Sequence, residues 1–323
     1  MMNRHTFCWA MMLLTGVCLT ATAQPQSGDA SPEGSKQPPK LEACEIGSIR
    51  NLHRLGRIYL AGQPSADDFR KAKEDEGIRT VVNLRMAIEQ LGTDQAADFK
   101  RLGIEYHHFP FGTPDSLTDE IFDRSRAVIA DRKKHPVMMH CASANRVGAI
   151  WLVHRVLDDK LTYEKALDEA HEVGLRFPPY EEKAKAYIER QLAKQRENEE
   201  RLDEIADEWQ YPNITEDFGG GATGSIHNSV RICKGPYGKV WEFYARKCGS
   251  EQTFSDKHLY RTVRSEGRTT YLLDDHPHAA DGKLSRIRTF FVCNAPEYTV
   301  SVLLIPEEDK TPPRVYMTIS LQN

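Results

Sequence analysis

The sequence lacks a dense run of basic residues. Its 323 residues include 43 Lys and Arg against 47 Asp and Glu, a formal net charge of −4. Nucleic acid as the main partner is disfavoured, because affinity for a phosphate backbone comes from clustered cations. A site for one small anion needs only local positive charge, and this balance leaves that open. Past the N-terminus, no apolar run approaches the ~20 residues that span a bilayer. Metal-ligand spacing of His, Cys, Asp or Glu is also missing, so no metal is expected. What remains is ordinary globular composition, 40% hydrophobic and 28% charged, with length for a core and two domains.

The N-terminus reads as an export signal. Arg4 supplies a positive start, residues 7–19 a short apolar stretch, and Ala21-Thr22-Ala23 the small residues of a cleavage site. Cleavage after Ala23 is expected, with a periplasmic or secreted product and no stable membrane insertion. Cys18 follows Val17 rather than a small residue, which argues against a lipid-anchoring signal. Removing the signal takes Cys8 and Cys18 and leaves Cys44, Cys141, Cys233, Cys248 and Cys293. An odd count in an oxidising compartment suggests one reactive thiol beside possible disulfides.

Residues 24–43 are rich in Pro, Ser, Gly and Gln and read as a disordered tether. Residues 44–197 alternate strand and helix. Strands are expected over 57–61, 79–84, 104–109 and 136–140. Ser65 caps a helix, with Asp68 at the capping-box position. Thr93 caps the next, and further helices are expected over 118–132, 146–158, 162–173 and 180–209. The pattern predicts an α/β fold, a parallel sheet flanked by helices. Residues 198–224 read as a helix end and a linker marked by Gly219-Gly220-Gly221. Residues 225–323 carry short β-rich runs and read as a small all-β domain, sandwich or barrel, with no catalytic motif. There Gly235-Pro236-Tyr237-Gly238 looks like a hairpin turn ahead of a strand over 240–245. That pairing sets Cys248 about 27 Å beyond Cys233's partner position, so the two are not expected to form a disulfide.

The chemistry concentrates in His140-Cys141-Ala142-Ser143-Ala144-Asn145-Arg146-Val147-Gly148. An apolar strand precedes it and a helical pattern follows. A loop between a strand and a helix N-terminus points free backbone N–H groups at an anion, and the helix dipole favours negative charge. The same field stabilises a thiolate at Cys141. Arg146 can grip two phosphate oxygens with its planar fork. The phosphate-binding residues are then Ala142, Ser143, Ala144, Asn145 and Arg146, with Cys141 the nucleophile and His140 orienting the loop by hydrogen bonding. Asp115, in the loop after the third strand, is the candidate general acid. Its rivals Asp119 and Glu120 open the following helix, where the dipole alone explains them. Phe109 and Phe111 are candidate pocket walls. One of His107 and His108 must face inward, as alternate strand residues do.

This segment resembles the cysteine-based protein tyrosine and dual-specificity phosphatases, most closely the bacterial beta-lactamase-hydrolase-like branch. Ile58-Tyr59-Leu60-Ala61-Gly62-Gln63-Pro64-Ser65 and Val81-Val82-Asn83-Leu84-Arg85 resemble that branch too, and the likeness spans residues 46–195. It implies hydrolysis of a phosphomonoester, on a protein or a small molecule, through a phosphocysteine and without a cofactor. The sequence departs from the pattern in three places. Four residues separate Cys141 from Arg146 where five are usual. Ala144 stands where such loops often carry Gly; a φ above zero there costs alanine roughly 1 kcal/mol. Val147 replaces the Ser or Thr that assists thiolate departure, and Ser143 is the candidate substitute. The short loop also fits a rhodanese-like sulfurtransferase with a Cys141 persulfide, and Ala144 and Val147 leave open a phosphate-binding module of little activity.

Overall fold

The computed structural model describes residues 40–90, 95–249, 260–265, 268–275, 288–306 and 313–322. The signal, most of the tether and the Thr93 cap lie outside the described residues.

The first sheet is built around three strands that are buried along their whole length: β3 (Ile58–Ala61), β4 (Thr80–Asn83) and β6 (Val137–His140). Apolar runs of this kind suit parallel strands covered on both faces. β6 pairs in parallel with β3 on one side and β4 on the other. β5 (Glu105–His108) extends the sheet beyond β4. β1 (Glu42–Ala43) and β2 (His53–Leu55) add an antiparallel edge, giving the order β1-β2-β3-β6-β4-β5. The sheet is therefore mixed, because the 55–58 turn is too tight for anything but a hairpin.

Side chains alternate across this sheet. Tyr59, Val81 and Met138 face a core shared with α1 (Ala66–Asp75) and α2 (Gln95–Leu102), through Phe69, Ala72 and Phe99. Leu60, Val82, Val137 and Met139 face a larger core. It is closed by α3 (Asp119–Ala130), α4 (Asn145–Leu157), α5 (Tyr163–Val173) and the first half of α6 (Pro178–Trp209). The expected capping box starts α1: Asp68 N–H donates to Ser65 Oγ at 3.1 Å and Ser65 N–H to Asp68 Oδ2 at 2.9 Å. Every residue of α4 after Asn145 is buried, Arg146, His154 and Arg155 included.

The second sheet is antiparallel and, among the described residues, has seven strands: β7 (Ile214–Thr223), β8 (Ile226–Cys233), β9 (Tyr260–Ser265), β10 (Arg268–Asp275), β11 (Arg288–Asn294), β12 (Tyr298–Ile305) and β13 (Arg314–Leu321). Their order is β7-β8-β13-β12-β11-β10-β9. This sheet differs from the expected all-β sandwich or barrel. Residues 237–247 form a helix, α7 (Tyr237–Lys247), not a hairpin arm. Tyr237, Val240, Trp241, Tyr244 and Ala245 are its buried residues, at helical spacing. That helix and the end of α6 (Leu202, Ile205, Ala206 and Trp209) supply the second core in place of another sheet. The polar stretch of α6 between the two cores has no buried residue, as a solvated spacer should.

The glycine run lies inside edge strand β7, where a linker was expected. Two register shifts interrupt its pairing with β8. Gly220 takes φ +156, and a Cβ there would fall 2.2 Å from the Asn228 carbonyl oxygen. With the hairpin gone, the argument separating Cys233 from Cys248 also falls, since both sit in the second core with Cys293. Cys233 is nonetheless a free thiol, and burial pushes its pKa up to about 12. No helix among the described residues is long and apolar enough to cross a membrane.

Candidate active site

In register, His140 on β6 lies beside Ala61 on β3 and Asn83 on β4, so three strands end together. Carboxyl ends of parallel strands are where α/β folds place their sites. The chain then turns sharply. Cys141 N–H donates to the Ala61 carbonyl at 3.3 Å, and Gln63 N–H to the Ala142 carbonyl at 3.2 Å. Asn51 Nδ2 donates to the Ser143 carbonyl at 3.0 Å. Ala144 adopts φ +67 and ψ 0, and α4 begins at the next residue. The position needs the left-handed conformation that alanine resists, and the sequence departure is therefore a real strain. Gly174, at φ +139, lets the connection after α5 approach: a Cβ there would sit 3.2 Å from Ala144 Cβ. Asn145 Oδ1 anchors the same connection, accepting from Arg176 N–H at 2.9 Å and Phe177 N–H at 3.3 Å.

Cys141 is 1% exposed at the base of this loop. Arg146, in the first turn of α4, is 8% exposed and heavily bonded. Its Nη1 donates to the carbonyls of Leu84 (3.2 Å) and Phe111 (2.9 Å) and to Glu89 Oε2 (2.7 Å). Its Nη2 donates to Glu89 Oε1 at 2.7 Å. Burial works against the guanidinium charge, but the Glu89 carboxylate and the neighbouring Cys141 more than offset it, and its pKa moves up. Glu89 is held down to about 2, first by the bonds from Arg146, against the effect of burial, and further by Met86 N–H and Arg85. Arg85 donates through Nη1 to Gln63 Oε1 at 2.7 Å and through Nη2 to the Glu89 carbonyl.

Tyr180 on α6 completes the surroundings. Burial chiefly raises its pKa, and the charges of Arg146, Cys141 and Glu89 act on it. Its ring meets Phe111 and Phe177 edge-on, with centroids 5.4 Å and 5.0 Å away.

His140 lies beneath the loop, its ring packed edge-on against Phe69 with centroids 5.4 Å apart. Full burial pushes its pKa down to about 3, against the opposing effect of a hydrogen bond at the Cys141 backbone, so it is neutral at physiological pH.

Asp115 is not brought to Cys141. Its side chain is 99% exposed, and Oδ1 lies 3.8 Å from Lys183 Nζ. Its loop touches the site through the Phe111 carbonyl. Asp119 pairs with Arg190 at 2.6 Å and Glu120 with Arg124 at 3.4 Å, both on the surface. Phe111 reaches the site; Phe109 lies instead under the Arg124 guanidinium, 4.4 Å from its ring centre. His108 Nε2 sits 2.7 Å from the Arg85 carbonyl, and His107 meets Glu105 at 2.8 Å. No cluster of His, Cys, Asp and Glu among the described residues could hold a metal ion.

Sequence reasoning missed Glu89, Asn51 and Tyr180. Glu89 left one signal, an Arg85-x-x-x-Glu89 charge pair directly after the carboxyl end of a central strand. Asn51 and Tyr180 left none, since their partners are distant in sequence.

No family model matches the chain, and no curated protein matches it. Among solved structures it is similar to TpbA of P. aeruginosa, at 23% identity and TM-score 0.38, over 48% of this chain and 92% of that one. It is similar to a putative phosphatase (DUF442) from Shewanella putrefaciens CN-32, at 17% identity and TM-score 0.39, over 45% and 95%. It is similar to the core catalytic domain of the PP-IP phosphatase Siw14 from S. cerevisiae, at 16% identity and TM-score 0.39, over 45% and 93%.

Proposed function

We propose that the chain is an exported cysteine-dependent phosphatase acting on phosphomonoesters, with Cys141 as nucleophile and Arg146 as phosphate ligand. One observation carries the reading: Cys141 lies under a helix N-terminus beside an arginine that Glu89 fixes with two 2.7 Å bonds. A phosphate cradle needs an immobile guanidinium next to its nucleophile.

In this reading the Cys141 thiolate attacks phosphorus and forms a sulfur–phosphorus bond as the ester oxygen leaves with a proton. Loop amides and Arg146 hold the remaining phosphate oxygens. Water then cleaves the phosphocysteine, restoring the thiolate and releasing phosphate. Asp115 stays the proposed acid. Its ion pair is the loosest of the three candidates, and its loop would have to swing inward on substrate binding. The substrate is a phosphorylated protein or a small phosphomonoester.

The test pairs two assays on one preparation: aryl phosphate hydrolysis, and sulfur transfer from thiosulfate to cyanide. Hydrolysis that Cys141→Ser removes is the expected result. Cyanide-dependent thiocyanate formation without hydrolysis would assign a sulfurtransferase, and neither activity a binding module. Export is tested separately, by sequencing the N-terminus of protein recovered outside the cytoplasm. It should begin at Gln24.

A further inference from the structure

The loop from Cys141 to Arg146 holds Ala144 at φ +67, a conformation that alanine resists. Strain of this kind persists only where the surroundings over-determine it. Here the loop is braced from outside. Asn51 Nδ2 holds the Ser143 carbonyl, and Gln63 N–H holds the Ala142 carbonyl at 3.2 Å. Gly62, just before Gln63, bridges to Ser143 as an isolated strand pair.

The Gln63 brace is itself held. Its side chain donates through Nε2 to the Pro64 carbonyl at 2.7 Å and accepts at Oε1 from Arg85 Nη1 at 2.7 Å. Gln63 follows β3 and Arg85 follows β4, and β6, which leads into Cys141, lies between those strands. The Arg85 side chain therefore reaches across the end of β6. Its Nη2 donates to the Glu89 carbonyl, and its Nε lies 3.7 Å from Glu89 Oε1. Glu89 in turn grips Arg146 through both carboxylate oxygens. The backbone of Arg85 is fixed as well. Its N–H donates to Asn83 Oδ1 at 2.9 Å, and its carbonyl meets His108 Nε2 at 2.7 Å. One guanidinium, 17% exposed, thus joins the two halves of the anion site: the loop backbone through Gln63, and the arginine clamp through Glu89.

We propose that Arg85 is a positioning residue, which keeps the cysteine loop and Arg146 in one geometry around the phosphoryl group. The proposal rests on the phosphatase reading. Arg85 acts at one remove, through Gln63 on the loop and through Glu89 on Arg146.

Steady-state hydrolysis of an aryl phosphate by the full chain, with inorganic phosphate as competitive inhibitor, tests this in Arg85→Lys and Gln63→Ala. An ammonium keeps the charge but cannot reproduce a fork that reaches two partners. Arg85→Lys should lower kcat/KM about 10- to 100-fold, and the inhibition constant for phosphate should rise with it. A fold that was merely weakened would lower kcat through the active fraction and leave KM and phosphate inhibition where they were. Gln63→Ala should lose less, and it carries the same two readings should Arg85→Lys not fold. The double variant should be no worse than Arg85→Lys alone, because Gln63 is one arm of the same path. Adding Ala144→Gly to Gln63→Ala should recover up to about fivefold, more than it adds to the wild-type loop, since relieved strain replaces a lost brace. Unchanged phosphate inhibition in both single variants, or losses that simply multiply in the double variant, overturn the proposal while Cys141-dependent hydrolysis stands. Undiminished hydrolysis by Cys141→Ser overturns the phosphatase reading, and the proposal with it.

Discussion

The two sheets bury different things. Around the first, Asp68, Asn83, His140, Arg146, His154 and Arg155 all lie out of solvent. Around the second, the buried polar residues described are His227, Ser229 and Thr289, none permanently charged. Buried charge and unbonded imidazole cost stability unless they are paired. Arg155 is paired: it bonds to Glu169 and Asp159 at 2.7 to 2.9 Å. Arg146 is paired too, but against a buried cysteine and a left-handed alanine. His140 is fully buried and held neutral, its ring against Phe69. Among the described residues the second region has unpartnered buried atoms too, at Trp209 Nε1 and His227 Nε2, but the first sets a buried arginine, a buried cysteine and a left-handed alanine in one loop, and that combination is the physical mark of a site.

Substitutions can break this contrast, and the largest effect belongs to the sulfur. Cys141→Ser should cut aryl phosphate turnover by several orders of magnitude with the fold intact, because a serine hydroxyl is a poor nucleophile at neutral pH. Cys233→Ser in the second core should do the reverse: activity within about twofold, and stability lower by roughly 1–3 kcal/mol from a buried hydroxyl. Turnover and chemical denaturation of both variants check the pair. Arg146→Lys should cost about 10²–10³ in kcat, since an ammonium cannot reproduce the fork.

Asp115→Asn should slow alkyl phosphate hydrolysis far more than hydrolysis of an activated aryl phosphate, because only the poor leaving group needs the proton. Equal slowing of both would move the acid role elsewhere.

Acid should loosen the first region ahead of the second. An unfolded chain protonates His140 near its ordinary value, about 6.5, whereas the folded chain resists until about 3. The unfolded state therefore binds the proton first, and stability falls as pH drops through that window. At pH 5 the loss is roughly 2 kcal/mol. Glu89 adds to it below its ordinary value of 4.5, since its stabilising pair with Arg146 persists until protonation near 2. Hydrogen exchange at pH 7 and pH 5 should show protection lost first in β6 and α4. The smallest effect is Ala144→Gly, which should stabilise by roughly 1 kcal/mol or less, as relief of the left-handed strain outweighs the added freedom of the unfolded chain.

The contrast also explains what could be read from sequence. In the first region the strands are short apolar runs, the capping box at Ser65 is local, and the nucleophile and arginine sit in one loop. All of that is written within a few residues. The pairing of Arg146 with Glu89, and of Ser143 with Asn51, crosses long stretches of chain, and no local pattern announces it. In the second region, 240–245 looked like a strand because Val240, Trp241, Phe243 and Tyr244 are strong strand formers. Their burial follows a helical period, and tertiary packing overrode propensity. The glycine run looked like a linker because glycine composition does not distinguish a flexible joint from a bulged edge strand.

Acid-quenching the wild-type protein during turnover of an aryl phosphate tests the central claim most directly, followed by mass spectrometry of the peptide that carries Cys141. A phosphoryl group on Cys141, absent without substrate and discharged as turnover ends, is the predicted result. Steady hydrolysis with Cys141 unmodified throughout, and undiminished in Cys141→Ser, would contradict the account.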